Sequence, residues 1–188
     1  MSVKLDEPDI QKMHIPSGYE RINNFNSQHC VTSDTEIIIV GTITPPAGVS
    51  NGYFYTASRN RIYGYIDEAR GTDLNNLKKE LNKHICPAEK AIRINDIKKM
   101  LMNNNIAFLD IMKTAIRKGK SPYDKDIKYH SLDFDAFKSL PKGVRIICNS
   151  LLAEKSFNEI INEIGIKYSC NYLSQRRGKK SDWIAFLK

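Results

Sequence analysis

Hydrogen-bonding side chains accompany the ends of all four apolar segments that the sequence predicts as strands. They are Thr42 and Thr44 after the first segment, Asp110 near the end of the second, Asn149 after the third, and Ser174 with Gln175 after the fourth. Because the carboxyl ends of parallel strands share one edge of a sheet, we expect these side chains to surround one crevice. Any of them alone could be a turn residue, but turns do not require polar groups at all four ends. The pattern predicts a ligand pocket.

Cations are concentrated in two loops beside this predicted pocket, residues 113–120 and 176–180. The candidates for contact with an anionic ligand are Arg59, Lys113, Arg117, Lys118, Arg176, Arg177, Lys179 and Lys180. The formal net charge of the 188 residues is +8. Such a surplus favours nucleic acid as a partner, followed by acidic membranes and phosphorylated small molecules, although solubility alone could also explain it. For residues 176–180 the alternative is a solvated turn.

Several familiar sites are missing from the sequence. Gly41 to Gly48 is not a phosphate loop, because no Gly-Lys-Ser/Thr follows it, and the sequence has no G-x-G-x-x-G and no H-E-x-x-H. Nucleophilic Ser/His/Asp catalysis is poorly supported, since no histidine falls at the end of a predicted strand. The four cysteines and four histidines show no metal-ligand spacing, so we expect free thiols, no metal and no cofactor. No apolar stretch approaches the roughly 20 residues of a membrane span, and the N-terminus has no signal pattern. We therefore expect a cytoplasmic protein without a membrane partner.

The elements that must position the pocket are organised around residues 35–63. Residues 37–40 are β-branched aliphatics, which suit a strand that is buried on both faces. After Gly41, Pro45 and Pro46 predict an irregular loop that leads to a helix capped by Ser58. The other predicted strands cover about 106–112, 144–148 and 166–172.

Predicted helices separate these strands. One is capped by Thr72, one runs from Pro87 to about Met102, one covers 133–140, one extends from the cap Ser150 to Gly165, and one begins at Ser181. Strands separated by helices imply a three-layer α/β/α fold with four parallel strands in a domain spanning 35–188. Residues 1–34 are predicted as a lead-in segment packed on that domain, with one short helix. Residues 113–131 are predicted as a long polar loop.

Five motifs, in register and in order from about 35 to 187, resemble the uracil-DNA glycosylase superfamily. They are Gly41-Thr-Ile-Thr-Pro45, Tyr53-Phe-Tyr-Thr-Ala-Ser-Arg-Asn-Arg-Ile-Tyr63, the block from Ile106-Ala-Phe-Leu-Asp-Ile111 through Arg117 to Asp126-Ile127, Ile146-Ile-Cys-Asn149, and Leu173-Ser-Gln-Arg-Arg177. The second and third are similar to the Tyr-Tyr…Pro-Arg-Asn-x-Phe-Trp and Leu-Trp-Asp-Val…Arg-x-Gly-Ser signatures of the deoxyinosine (hypoxanthine)/mismatch branch. The first loop has an extra residue before its proline, and Ser174-Gln175 stands where relatives commonly have Ser-Pro.

The resemblance implies a monofunctional DNA glycosylase that works without metal or cofactor. It would hydrolyse the N-glycosidic bond of a deaminated or mismatched base that has been flipped out of DNA. Other branches place an Asp or Asn in the first loop to hold the attacking water, where this chain has only Thr42 and Thr44. The match points instead to Asn60 as the water-positioning residue. The alternative for Asn60 is a hydrogen bond at the start of a helix.

The same resemblance assigns base recognition and DNA contact. Asp110 stands where uracil-specific relatives carry a base-reading Asn, and its carboxylate should select a base edge that presents N–H donors. Asn149 also belongs to the base site, and Phe54 or Tyr55 is the candidate stacking wall. Residues 174–177 correspond to the loop that grips DNA. We expect the protein to act as a monomer.

Two other functions remain compatible with the sequence. One is a catalytically degenerate glycosylase fold that binds nucleic acid without cutting it. The other is an enzyme acting on a free nucleoside or nucleotide, which would need the pocket but not the cationic loops.

Overall fold

A computed structural model describes residues 2–83, 85–119, 121, 123–174 and 177–188. Within these residues there are eight strands and seven α-helices. The strands are β1 (Val3–Lys4), β2 (Tyr19–Asn23), β3 (Ile37–Gly41), β4 (Ile106–Asp110), β5 (Met112–Lys118), β6 (Ile127–Leu132), β7 (Arg145–Cys148) and β8 (Cys170–Tyr172). The helices are α1 (Glu7–Lys12), α2 (Pro46–Asn51), α3 (Ile62–Arg70), α4 (Leu74–Leu81), α5 (Pro87–Asn103), α6 (Leu151–Ile164) and α7 (Lys180–Leu187).

The central sheet has the order β4-β3-β7-β8, and all of its strands are parallel. Its register pairs Gly41 with Asp110 and Val40 with Cys148. This confirms the predicted α/β fold with four parallel strands. The last strand is shorter than predicted, since only 170–172 of the interval 166–172 are paired.

Both faces of β3 are covered, which explains its uninterrupted β-branched sequence. Ile37 and Ile39 pack in a cluster with side chains of α3, α4, α5 and α7. Ile38 and Val40 point the other way, into a cluster formed by α6 and by strands outside the central sheet. Because successive side chains of a strand alternate between faces, one run of four aliphatics joins the two halves of the core.

A second four-stranded sheet, with the order β1-β6-β5-β2, completes the fold. β5 is antiparallel to both β6 and β2, whereas β1 is parallel to β6. The prediction of a long polar loop over 113–131 was therefore wrong. Charged residues within β5 and β6 hide the apolar pattern, and β2, the partner that satisfies the backbone of β5, lies far away in the sequence. The N-terminal residues 3–28 contribute β1, α1, β2 and a 3-10 helix, Asn26–Gln28.

Four local predictions also differ from the structure. The loop after β3 contains α2, because Pro46 is tolerated in the first turn of a helix, where an N–H has no intrahelical acceptor. Helix α3 begins at Ile62 rather than beside Ser58, and α4 begins at Leu74, one residue after Asp73. Residues 133–140 contain only a 3-10 turn, Asp135–Phe137.

The predictions for α5 and α6 are confirmed. The Ser150 Oγ accepts a hydrogen bond from the Ala153 N–H at 3.1 Å, and Gly165, with φ of 70°, ends α6. Across the described part of the chain, no helix has the length and apolarity needed to cross a bilayer.

Candidate active site

A crevice with a volume of about 570 Å³ lies at the carboxyl ends of the central strands. Eight of the residues singled out from the sequence line it: Thr42, Thr44, Tyr55, Asn60, Asp110, Asn149, Ser174 and Arg177. Residues that the sequence analysis did not assign to the pocket complete the wall, among them Tyr123, Asp124, Lys125, Ser150 and Leu151. The parallel sheet thus brings the ends of β3, β4, β7 and β8 to one site.

Asp110 occupies the closed part of the crevice and is only 2% exposed. Its Oδ2 accepts hydrogen bonds from the Thr44 N–H at 2.8 Å and the Thr44 hydroxyl at 2.7 Å. Its backbone is held by the Asn26 side chain, which accepts from the Asp110 N–H and donates to the Asp110 carbonyl, both at 2.8 Å. The N-terminal segment therefore fixes a pocket residue, a role that sequence reasoning missed.

Burial raises the pKa of Asp110 from its ordinary 3.8 to about 6. The hydrogen bonds from Thr44 and the positive charge of Arg117 oppose this rise, because they favour the ionised carboxylate. At neutral pH most of the Asp110 side chains are therefore ionised. An ionised carboxylate can only accept hydrogen bonds, so this wall of the crevice suits a ligand with N–H donors.

Tyr55 lines the crevice with a backbone φ of 54°, an uncommon value for a residue with a Cβ. Its ring packs edge-on against Phe108, with centroids 4.8 Å apart, and its hydroxyl accepts a hydrogen bond from Asn149 Nδ2 at 3.1 Å. Burial holds the pKa of Tyr55 well above its usual range. The phenol therefore stays protonated and can donate a hydrogen bond.

The glycine that ends β3 makes this arrangement possible. A Cβ on Gly41 would lie 2.6 Å from the Tyr55 hydroxyl and 2.9 Å from the nearer Asp110 carboxylate oxygen. Neither distance is compatible with normal packing. Gly41 is therefore required by the close approach of Tyr55 and Asp110 to the strand end.

A second carboxylate faces the crevice from the short 3-10 helix Asp124–Asp126. The Thr42 hydroxyl donates a hydrogen bond to Asp124 Oδ2 at 2.8 Å, and the hydroxyls of Thr42 and Ser150 lie 2.8 Å apart. Sequence analysis did not single out Asp124. Nothing in the local pattern indicates that it lies beside Thr42, since this contact spans 82 residues.

Asn60 lies in the turn before α3, and its side chain has a structural contact. Its Oδ1 accepts a hydrogen bond from the Ile62 N–H at 3.0 Å, as in the helix-start alternative. Its backbone carbonyl accepts from the ammonium group of Lys78 at 2.5 Å. Lys78 is buried, and burial lowers its pKa. Asn60 therefore reaches the crevice from a turn that a buried lysine holds in place.

No protein-family model matches this sequence, and no curated protein matches it. Among solved structures, the chain is similar to the solution NMR structure of a provisionally named uracil DNA glycosylase from Methanosarcina acetivorans. The similarity covers 85% of this chain and 92% of the other, with 20% sequence identity and a TM-score of 0.54. The chain has a uracil-DNA-glycosylase-like fold.

In this uracil-DNA-glycosylase-like fold, Phe54 and Arg117 are buried outside the crevice lining. Phe54 is fully buried and packs against Phe25 and Phe108, so the aromatic side chain that reaches the crevice is Tyr55. Arg117 is 1% exposed, and its Nη2 lies 3.8 Å from Asp124 Oδ1. In this conformation Arg117 contributes positive charge from behind the crevice wall rather than from the surface.

The remaining predicted DNA contacts lie at the surface of the fold. Four of these cations are exposed and do not line the crevice: Arg59, Lys113, Lys118 and Lys179. A fifth, Lys180, is the first residue of α7 and forms an ion pair with Glu68. Gln175 and Arg176 lie outside the described residues. In the loop that contains them, the Arg177 N–H donates to the Ser174 Oγ at 3.1 Å and the Gly178 N–H donates to the Ser174 carbonyl at 2.8 Å. Ser174 and Arg177 both line the crevice.

Within the described ranges, no group of three or more His, Cys, Asp or Glu side chains is arranged to hold a metal ion. The chemistry that the crevice offers comes from its own groups: two carboxylates, a protonated phenol, the Asn149 amide and several hydroxyls. Such a set can bind a planar polar ligand and position water.

Proposed function

We propose that this protein is a DNA glycosylase that hydrolyses the N-glycosidic bond of a flipped, deaminated or mismatched base of the uracil or hypoxanthine class. The observation that carries the proposal is the crevice of about 570 Å³, in which Asp110, Tyr55 and Asn149 converge at the carboxyl edge of the parallel sheet. This volume lies within the range of small-molecule sites, roughly 300–1,000 Å³. The fold similarity supports the glycosylase class, and the sequence motifs favour the hypoxanthine/mismatch branch.

The polar groups of the crevice match the edge of a deaminated base. Deamination replaces an amino group with a carbonyl and leaves a protonated ring nitrogen beside it, as in uracil and hypoxanthine. The Asp110 carboxylate would accept from the ring N–H, while the protonated Tyr55 hydroxyl would donate to the carbonyl. A base that presents an acceptor to Asp110 would place two acceptors against each other in a buried site, which is costly.

DNA would be held by the rim of the crevice. Lys125 and Arg177 supply positive charge there, next to the exposed side chains of Tyr123 and Leu151. The Lys125 ammonium lies 5.5 Å from the centre of the Tyr123 ring. Cations combined with an exposed aromatic ring suit a phosphate backbone and an unstacked base. The proposed partner is therefore DNA, bound by a monomer.

The test is a panel of end-labelled oligonucleotides that contain uracil, hypoxanthine, xanthine or a mismatch, assayed for abasic sites by alkaline strand cleavage. Matched undamaged strands and the free nucleosides are the controls. We expect cleavage of at least one deaminated base in DNA, with uracil or hypoxanthine preferred. Release of a base from free nucleosides alone would assign the protein to nucleoside metabolism instead.

A nucleic-acid-binding module without hydrolytic activity is the second candidate. It is favoured by the Asn60 side chain, whose oxygen accepts from the Ile62 N–H, and by the threonines that stand where the first loop of relatives carries an acid or amide. The same panel separates the two functions. This candidate predicts that the labelled DNA is bound and that no abasic site forms with any base.

A further inference from the structure

Asp124 reaches the crevice from a different direction than Asp110. It precedes β6, in a segment that was predicted as a polar loop, and its side chain is 32% exposed. Asp110 ends β4, whereas Asp124 is bonded to Thr42, which follows β3 and whose hydroxyl lies 2.8 Å from that of Ser150 after β7. The two acids therefore face different parts of one cavity.

The Asp124 carboxylate is fixed by groups that belong to the strand ends. The Thr42 hydroxyl donates to Oδ2 at 2.8 Å. The other carboxylate oxygen of Asp124, Oδ1, lies 3.8 Å from Nη2 of Arg117. The Arg117 side chain is almost wholly buried. Among the described residues, Nε and Nη1 of Arg117 have no hydrogen-bond partner. Asp124 is therefore the acid that forms an ion pair with this buried cation.

We infer that Asp124 is the catalytic carboxylate that positions the attacking water and stabilises positive charge on the sugar. This inference rests on the proposed function and assigns a role that the residues of the first loop cannot fill, because hydroxyls are poor bases. Hydrolysis of glycosidic bonds passes through an oxocarbenium-like state, and a nearby carboxylate lowers its energy. Thr42 then acts as a positioning residue, because it holds Asp124 rather than the water.

The step balances without a further reactant. The C1′–N bond breaks, and its electron pair leaves on the base nitrogen. The water oxygen forms the new bond to C1′, and one proton of that water passes to Asp124. From Asp124 the proton returns to solvent, and the departing base takes up a proton from solvent. Asp110 keeps its place at the base edge, since both groups of Thr44 bind its Oδ2 and it lies in the closed part of the cavity.

The test compares single-turnover rates of base release by the wild type, Asp124→Asn and Asp126→Asn. Asn keeps an oxygen that can accept from Thr42 but removes the charge. Asp126, two residues further along the same 3-10 helix, bonds to Ser121 and does not line the cavity, so Asp126→Asn is the matched control. We expect a loss of about 10²-fold or more for Asp124→Asn, the typical size for one positioned acid–base group, in a variant that remains folded and binds DNA as the wild type does. The control should retain the wild-type rate.

Chemical rescue separates a catalytic role from a structural one. In Asp124→Ala, added formate can occupy the vacated space and restore part of the rate, whereas a purely structural defect would not respond. A wild-type rate in Asp124→Asn, or equal losses in both Asn variants without formate rescue of Asp124→Ala, would overturn the assignment while leaving the glycosylase function intact. A wild type that releases no base would overturn the proposed function, and this assignment with it.

Discussion

Among single residues, Asp110 is the one whose proposed role conflicts with stability. Its folded-state pKa of about 6 exceeds its ordinary 3.8 because the carboxylate is buried. Between about pH 4 and pH 6 the unfolded chain releases this proton while the folded chain keeps it. The contribution of Asp110 to the free energy of unfolding therefore falls as pH rises through this window and stays low above it. One pKa unit corresponds to about 1.4 kcal/mol, so the loss amounts to roughly 3 kcal/mol.

Asp110→Asn should remove this cost. We expect the variant to be more stable than the wild type at pH 7.5, by an amount on the order of 1–3 kcal/mol, and to lose most of that advantage at pH 4. Denaturant unfolding at the two pH values measures the difference. The same variant should change which base is accepted, because an amide can donate as well as accept. Equal stability at both pH values, together with unaltered base preference, would contradict this account of Asp110.

Among the elements, α4 has a role in the site although none of its residues lines the crevice. Its Lys78 donates to the Asn60 carbonyl at 2.5 Å and lies 3.4 Å from the Ser58 carbonyl. Asn51 and Asn82 both donate to the Thr56 carbonyl at 2.9 Å, which fixes the other end of the same segment. These bonds satisfy backbone acceptors that an irregular segment would otherwise leave unpaired.

Lys78→Met should free the turn that carries Asn60 while preserving the helix, since methionine has similar length and helix propensity. We expect turnover to fall about tenfold or more with little change in DNA binding, because displacing Asn60, which lines the crevice, would disturb the geometry of the reaction step. Lys79→Met, at the exposed next position of α4, is the control and should behave as wild type. If Lys78 acts through Asn60, the losses in Lys78→Met and Asn60→Ala should not add in the double variant. Additive losses would show that Lys78 acts elsewhere.

The elements also show what could and could not be predicted from the sequence. β3 was evident because burial on both faces leaves an unbroken β-branched run, and α6 because Ser150 and Gly165 mark its ends. The second sheet was not evident, because β5 carries charged residues and depends on pairing with the distant β2. Asp110 followed from its place at a strand end. The place of Asp124 in the crevice could not be predicted, because its contact with Thr42 joins two segments that are far apart in the sequence.

At the scale of the whole molecule, the net charge of +8 should act through particular contacts. If Arg177 binds a phosphate, Arg177→Ala should reduce the slope of log K against log salt by roughly 0.7 to 0.9, equally for damaged and undamaged DNA. Lys142 is exposed just before β7, at the opposite end of the sheet, and Lys142→Ala should leave the slope unchanged. Salt titrations of binding measure both. A slope that Arg177→Ala does not alter would make residues 177–180 a charged turn only.

The central claim, that the crevice releases a base from DNA, is tested most directly by Gly41→Ala. The added Cβ would displace the Tyr55 hydroxyl and the Asp110 carboxylate together, since it would lie within 3 Å of both. In contrast, a Cβ on Gly64 in α3 would meet its nearest neighbour, Asn75, at 4.0 Å, so Gly64→Ala is the control for a glycine substitution. The measurement is free base released from labelled duplex, alongside DNA affinity and melting temperature. We predict that Gly41→Ala loses about 10²-fold or more of base release with its DNA affinity intact, whereas Gly64→Ala keeps both. Wild-type base release by a folded Gly41→Ala would contradict the assignment of this crevice as the active site.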